Sequence, residues 1–389
     1  MRDAVIVEAV RTPIGKGKPG GALADVHPVA LLSHTLRALI DRTGIDPALV
    51  DDVIGGTVDQ VGEQAMNTTR YAWLGAGLPE TVPATTVDRQ CGSSQQAVHF
   101  AAQGVRSGAY DIVVACGVES MSRVPMWSNV PPGADPFGPG VAARYPEGLV
   151  PQGISAELIA AKWSIGRTAM DEFAAASHAR AARAWQAGLF DAQVVPYGEV
   201  RRDESVRPTT TPEILAGLRP AFEDPGFAER FPQIEWSVTA GNSSPVNDGA
   251  SAVLIMAADT ARALGLRPLA RLHSFAVTGS DPVLMLTGVI PATEKVLRNA
   301  GLRLDEIDLF EINEAFASVV LGWQQETGAD PAKVNVHGGA IALGHPLGAS
   351  GTRLTTTLVH ALRERGARYG LQAMCEAGGL ANAMIVEAL

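Results

Sequence analysis

The chain has 389 residues, 46% of them hydrophobic, and a formal net charge of −10. A chain this long exceeds what one hydrophobic core usually serves, so two or three domains are expected, and the apolar content excludes general disorder. An acidic body excludes a general nucleic-acid or anionic-membrane binder, so any phosphate-bearing ligand needs a local basic patch. Cys91, Cys116 and Cys375 are too few, and odd in number, for a disulfide framework, and fit a reducing compartment. No H-E-x-x-H pair and no C-x-x-C occurs, so no metal site is expected. No signal peptide and no membrane span is read from the sequence, which makes a cytoplasmic enzyme the expectation.

In chain order, residues 4–10 read as a buried strand. Residues 15–20 spell G-x-G-x-x-G, but four residues separate them from the strand, Pro19 interrupts them and no helix opens from them. They are read as a flexible loop carrying Lys16 and Lys18, not as a dinucleotide site. Residues 28–43 form an amphipathic helix with Leu31, Leu32, Leu36, Leu39 and Ile40 on one face, ended by Gly44. Residues 50–58 are the next strand.

The stretch 87–107 organises the rest. A short extended piece runs into Cys91, and Gly92-Ser93-Ser94 turns the chain into a helix of about four turns. Few charges appear on that helix, so burial all round is expected. Cys91 then sits at a helix N-terminus, where unpaired N–H groups and the dipole favour a thiolate. A free cysteine is most often a packing residue; the Gly-Ser elbow between strand and helix favours a nucleophile. Residues 109–116 are a core strand, and Cys116 within it is read as packing.

From Met121 the texture changes to Pro and Gly, and residues 121–245 are read as an inserted lid or loop domain. It holds helices at 155–163 and 168–187, the second with a capping-box-like start from Thr168 to Asp171, and an irregular stretch at 201–236. Regular structure resumes with strands at 249–256 and 269–276, a helix at 291–300 and a strand at 307–312. Residues 334–336 lead as a strand into a glycine-rich loop, 338–351. A helix at 352–365 and strands at 372–375 and 383–388 complete the chain.

Residues 43–53 resemble residues 300–310, and each set sits in the same sequence of strand, helix, strand, glycine-rich turn and buried helix. This is an internal duplication of about 120 residues. Two similar α/β halves bring equivalent loops to a shared face, which places the Cys91 elbow near the 338–351 loop. The expected fold is α/β, with largely parallel sheets covered by helices. The expected division is residues 1–120 with 246–268 as one half, 121–245 inserted, and 269–389 as the other half.

Four clusters carry chemistry: Cys91-Gly92-Ser93-Ser94; Asn313-Glu314-Ala315-Phe316 at a strand end; the loop from Gly338 through His345 to Gly348; and Cys375-Glu376-Ala377-Gly378-Gly379. A neutral imidazole beside a thiol raises its thiolate fraction, so His345 is the candidate base for Cys91. Cys375 is a second acid/base thiol. Asn313 either caps the following helix or holds an oxyanion directly or through water.

These clusters, in this order and together with the block 237–244, resemble the thiolase family of 3-ketoacyl-CoA thiolases and acetyl-CoA acetyltransferases along essentially the whole chain. The resemblance implies a thiolase-like αβαβα fold of two duplicated halves with an inserted loop domain. It implies that Cys91 accepts the acyl group, that His345 takes its proton and helps bind the thioester oxygen, and that Cys375 moves the proton of the acetyl-CoA enolate and of CoA. Asn313 would position a water in one oxyanion hole, and the backbone amides of Cys91 and Ala377 would make the other. Ser244, Phe316 and Phe222 would line the pantetheine tunnel, with Arg207 a candidate for the CoA phosphates. CoA would be a co-substrate, with no permanently bound cofactor, and the enzyme a homodimer or homotetramer.

Three departures from the family pattern stand out. Ala377 replaces a glycine common after the second cysteine, keeping the N–H and adding a methyl group. Pro151-Gln152-Gly153 stands where many short-chain biosynthetic members have His-Met before the glycine, which favours a degradative enzyme for other or bulkier 3-ketoacyl chains. Residues 223–236 look like extra loop near the CoA mouth. Competing readings are a condensing acetyl-CoA acetyltransferase, a decarboxylating ketoacyl synthase, a papain-like Cys-His-Asn hydrolase and a non-catalytic acyl-CoA or lipid carrier.

Overall fold

A computed structural model describes residues 2–389. The chain opens with β1 (Ala4–Arg11), β2 (Gly15–Lys16), α1 (Pro28–Thr43), β3 (Asp52–Gly56), α2 (Thr68–Gly75), β4 (Ala84–Val87), α3 (Ser93–Ser107) and β5 (Ile112–Ser120). Helices α4 (Gly138–Arg144), α5 (Gln152–Lys162), α6 (Arg167–Gln186), α7 (Pro212–Ala216) and α8 (Pro225–Arg230) follow, then β6 (Asn247–Ala257) and α9 (Ala258–Ala263). The pattern then recurs: β7 (Ala270–Gly279), α10 (Val289–Ala300), β8 (Leu309–Ile312), α11 (Ala317–Thr327), α12 (Ala340–Leu343), α13 (Ser350–Arg365), β9 (Tyr369–Glu376) and β10 (Leu380–Ala388).

Local chemistry explains the matching ends of α1 and α10. Both stop at a glycine in the left-handed region, Gly44 at φ 66° and Gly301 at φ 67°, where a side chain would be strained. The buried face of α1 contains Leu31, Leu32, Leu36, Leu39 and Ile40, as its spacing predicts. The capping box expected at Thr168 does not form. The cap of α6 is Gly166, and Asp171 instead accepts from Arg167 Nε at 2.7 Å and from Asn242 Nδ2 at 2.9 Å.

The strands join in the order β4-β3-β5-β6-β1-β7-β10-β9-β8, with β2 beside β6. Among the described residues, the two groups of strands meet through two residue pairs, Val5 with Arg271 and Ile6 with Ala270. The expectation of largely parallel sheets is corrected. Helical crossovers make β3, β4 and β5 parallel, as they do β8 and β9. β6 runs antiparallel to β5 and β1, and β10 antiparallel to β9 and β7. The link from β9 to β10 is a three-residue turn, too short for a parallel crossover.

The strand expected at 334–336 is also absent. Val334 makes an isolated bridge to Phe310, and the Asn335 side chain takes over the pairing. Its amide accepts from Ile312 N and donates to Ile312 O, both at 2.9 Å.

Helices α3 and α13 lie against each other at the centre. The backbone approach is close: a Cβ on Gly351 would sit 2.1 Å from Gln95 N. Thr352 N donates to Ser94 Oγ at 3.0 Å, and Gln372 Nε2 donates both to Gln95 Oε1 and to Gly351 O. The start of α3 is therefore held beside the start of α13, as the duplication implies. All-round burial of α3 holds only from Ser93 to His99; beyond it Phe100 and Gln103 reach the surface. Among the described residues, no helix is long and apolar enough to cross a membrane.

Candidate active site

The elbow before α3 is built by short-range hydrogen bonds. Ser93 Oγ donates to Gln90 O at 2.6 Å and accepts from Arg89 N at 2.9 Å, while Gln90 adopts φ 50°. A Cβ on Gly92 would lie 1.8 Å from Glu376 Oε1, so any larger residue must displace that carboxylate. Asn382 Nδ2 donates to Gly92 O at 3.0 Å and ties the elbow to β10. This leaves the Cys91 side chain only 5% exposed.

The electrostatics differ from the sequence expectation. Burial pushes the Cys91 thiol well above its ordinary value, and the charges of Cys375 and Glu376 push it further. A helix terminus contributes a partial charge, whereas full desolvation of a thiolate costs more. Cys91 is therefore a protonated thiol that needs a base.

His345 meets that need. Gly344 before it has φ 110°, and a Cβ there would strike Ile14 and Asn247 at 2.6 and 2.8 Å. Asn247 Oδ1 accepts from His345 N at 2.9 Å and fixes the turn. The ring is held at both nitrogens, with Nδ1 2.6 Å from Ser350 Oγ and Nε2 3.4 Å from Asn313 Nδ2. Burial, aided by the Arg353 charge, lowers the His345 pKa to about 3, so the imidazole is neutral.

Asn313 follows β8 and is anchored by its N–H to Ala373 O at 3.0 Å. It does not cap α11, whose cap is Phe316. Its side-chain Oδ1 is buried with no hydrogen-bond partner in the protein. Cys375 on β9 is fully buried. Burial and then Glu376 raise its pKa to about 12, offset in part by the Asn313 amide. The two thiols, the imidazole and the carboxamide thus form one contiguous group. Cys116 is packed in the β5 core among apolar side chains, as read.

Two cavities meet at Cys91. One, of about 290 Å³, is lined by Cys91, His345, Ser244, Phe222, Phe316 and Gly153 among others. Phe222 and Phe316 pack edge to face at 5.9 Å, and a Cβ on Gly153 would lie 2.2 Å from the Phe222 ring. The other, of about 390 Å³, runs from Cys91 and Ala377 along apolar side chains including Val130, Phe137, Leu149 and Met285. Met126 and Trp127 line both. A more open cleft of about 540 Å³ around Arg262, Arg267 and Arg271 shares none of these residues. Arg207 lines neither cavity; it is exposed, and its Nη2 lies 3.2 Å from His178 Nε2.

Sequence reasoning missed the residues that hold this group in place. Glu119, at the end of β5, accepts from Val58 N, Asp59 N, Gly348 N and Gln64 Nε2 and clamps the His345 loop to the loop after β3. Its signal was an acid ending an otherwise apolar strand. Asn247 and Ser350 carried no local signal, because their partners are set by tertiary contact or a turn of helix.

The fold and site are those of an acyl-transferring enzyme. The model of the thiolase N-terminal domain matches residues 4–259 and that of the C-terminal domain residues 266–388, and the chain belongs to the thiolase family. It is 48% identical to the steroid 3-ketoacyl-CoA thiolase FadA6 of Mycobacterium tuberculosis, over all of this chain and 95% of that protein. It is 42% identical to a 3-ketoacyl-CoA thiolase of Bacillus subtilis over the full length of both. The crystal structure of the Bacillus anthracis acetyl-CoA acetyltransferase superposes with a TM-score of 0.89 at 39% identity, covering 100% of this chain and 99% of that one.

Proposed function

We propose that the enzyme is a degradative thiolase that cleaves a 3-ketoacyl-CoA with CoA into acetyl-CoA and a shortened acyl-CoA. The observation that carries this reading is the position of Cys91, where two cavities meet beside a neutral imidazole and a second thiol. One cavity suits a thin pantetheine arm past Ser244, Phe316 and Phe222, and the other suits an apolar acyl chain. The names of the relatives at 42% and 48% identity support the same reaction.

In the first step His345 accepts the Cys91 proton and the sulfur attacks the 3-keto carbon. The bond between the α and β carbons breaks, its electron pair forms the acetyl-CoA enolate, and the Cys375 thiol protonates it. In the second step the Cys375 thiolate takes the proton of incoming CoA, whose sulfur attacks the acyl-Cys91 thioester. Collapse returns the proton to Cys91. Backbone N–H groups of Cys91 and Ala377 face one developing oxyanion, and His345 with a water on Asn313 faces the other. The unpartnered Asn313 Oδ1 supports that water, being an acceptor that an O–H satisfies. CoA phosphates outside the tunnel need a surface cation, a role for which exposed Arg207 is the candidate.

We also infer that residues 1–120 with 246–268 and residues 269–389 are the two halves and 121–245 the inserted domain. The pairing of β6 with both β1 and β5 supports this division. A cytoplasmic location and a dimer or tetramer complete the proposal; three buried free cysteines support a reducing compartment. The likeness to an acetyl-CoA acetyltransferase favours a second reading, condensation of acetyl units. An apolar cavity of about 390 Å³ is far larger than an acetyl group needs and favours the first.

Incubation with acetyl-CoA tests the reading. Intact mass and peptide mapping should show one acetyl group on Cys91, with release of CoA, and none in Cys91→Ala. No acetylation, or acetylation elsewhere, overturns it.

A further inference from the structure

Ser350 is fully buried at the first position of α13, five residues after His345. Its Oγ lies 2.8 Å from Pro346 O and 2.6 Å from His345 Nδ1. Pro346 O can only accept, and it takes Ala349 N at 3.1 Å as well; the helical i to i−4 geometry gives the single hydroxyl hydrogen of Ser350 to that carbonyl. What Oγ then presents to the ring is a lone pair, and the nitrogen it meets must carry a hydrogen. A neutral imidazole has one N–H, so Nε2 is left bare. The other contact agrees: Asn313 presents an amide N–H₂ to Nε2, a donor to an acceptor, at 3.4 Å.

We propose that Ser350 is the positioning residue that fixes His345 as its Nδ1–H tautomer, so that Nε2 is always the proton acceptor for Cys91. The inference rests on the reading of Cys91 and His345 given above. It places a hydroxyl where a Ser-His-Asp set has a carboxylate. The difference has a chemical consequence. A hydroxyl orients the ring without adding a buried negative charge, and burial, with Cys375 and Glu376 beside it, already holds the Cys91 thiol in its protonated form. A neutral partner also stabilises imidazolium less than a carboxylate does, so the proton taken from Cys91 is readily returned when CoA attacks.

The test combines a variant series with nitrogen NMR of ¹⁵N-histidine-labelled full-length enzyme, the His345 signals being assigned with His345→Gln. In the wild type, Nδ1 should be protonated and Nε2 bare from pH 5 to 9. In Ser350→Ala, the two tautomers should mix, and acetylation of Cys91 by acetyl-CoA should slow by roughly tenfold to a hundredfold at unchanged KM for acetyl-CoA. Ser350→Thr, which keeps the hydroxyl, should recover most of the rate. A protonated Nε2 in the wild type overturns the proposal, and so does a Ser350→Ala enzyme with wild-type rate and a single tautomer. If the alanine variant does not fold, the wild-type spectrum decides. Failure of wild-type Cys91 to acetylate counts against the functional reading, whereas a wrong tautomer counts against Ser350 alone.

Discussion

Glu119 Oε2 accepts from the backbone N–H of Gly348 at 2.8 Å, so the end of β5 grips the loop that carries His345. The same oxygen accepts from Val58 N at 3.0 Å, and Oε1 accepts from Gln64 Nε2 at 2.7 Å and from Asp59 N at 3.2 Å. Every neighbour is a donor. Glu119→Gln would turn an N–H₂ toward N–H groups, so at least one pair is lost in a buried site. The expected cost is about 2 to 3 kcal/mol of stability, together with a lower kcat because the His345 loop loosens. Urea unfolding and steady-state thiolysis on the same preparations check this; wild-type values in both would refute the clamp.

The Asn313 side chain touches both His345 and Cys375. On the proposed mechanism, Asn313→Ala removes the anchor of the water that donates to one oxyanion. The loss should be about 3 kcal/mol of transition-state stabilisation, near a hundredfold in kcat, with little change in KM. A fall confined to KM would mean that Asn313 only binds substrate.

The pH profile follows from the lowered His345 pKa. An ordinary histidine near 6.5 would lose most of its base form by pH 5.5, and the rate would fall with it. His345, lowered to about 3 by burial, stays unprotonated through that range. The Cys375 thiol, raised to about 12, stays protonated on the alkaline side. Neither His345 nor Cys375 should therefore add an inflection to thiolysis kcat/KM between pH 6 and 9; a step near 7 would belong to Glu119, whose carboxyl burial raises to about 7, and should disappear in Glu119→Gln. An inflection near 6.5 that disappears in His345→Gln would show an exposed imidazole.

Trp127 lines both cavities and lies in the left-handed region, at φ 74°, with its N–H held by Asp59 Oδ1 at 3.0 Å. A bulky residue held in that conformation carries strain, and such strain gathers at sites where shape matters. Trp127→Ala should widen both cavities and raise the kcat/KM ratio of ring-bearing or long 3-ketoacyl-CoA substrates to acetoacetyl-CoA several-fold. An unchanged ratio across a chain-length series would remove Trp127 from the specificity wall.

Gly351→Ala tests the packing of α3 on α13. The new methyl would lie 2.1 Å from the Gln95 backbone N, which no side-chain rotation relieves. The helices must part, at a cost of roughly 3 kcal/mol or more. A thermal midpoint within a degree of wild type would show that the contact yields easily.

The sequence alone determined what depends on neighbours along the chain. The leucine spacing of α1, its glycine stop and the repeat of that stop at Gly301 are local rules of helix geometry. The Gly-Ser elbow at Cys91 and the fixed turn around His345 follow from residues that permit few backbone shapes. The repeat of residues 43–53 at 300–310 was enough to expect the two loops to meet. Strand direction was not legible, because β6 and β10 take theirs from partners far along the chain. Ionisation was not legible either. The helix terminus at Cys91 is a local feature that favours a thiolate, but burial by β9, α13 and the 121–245 segment outweighs it and keeps the proton on sulfur. The bonds of Asn247 and Glu119 to the His345 loop exist only once the two repeats have packed, whereas that of Ser350 is made within one turn of its own helix start. Conformation is decided by the few bonds next to a residue; protonation and hydrogen-bond direction are decided by everything that excludes water from it.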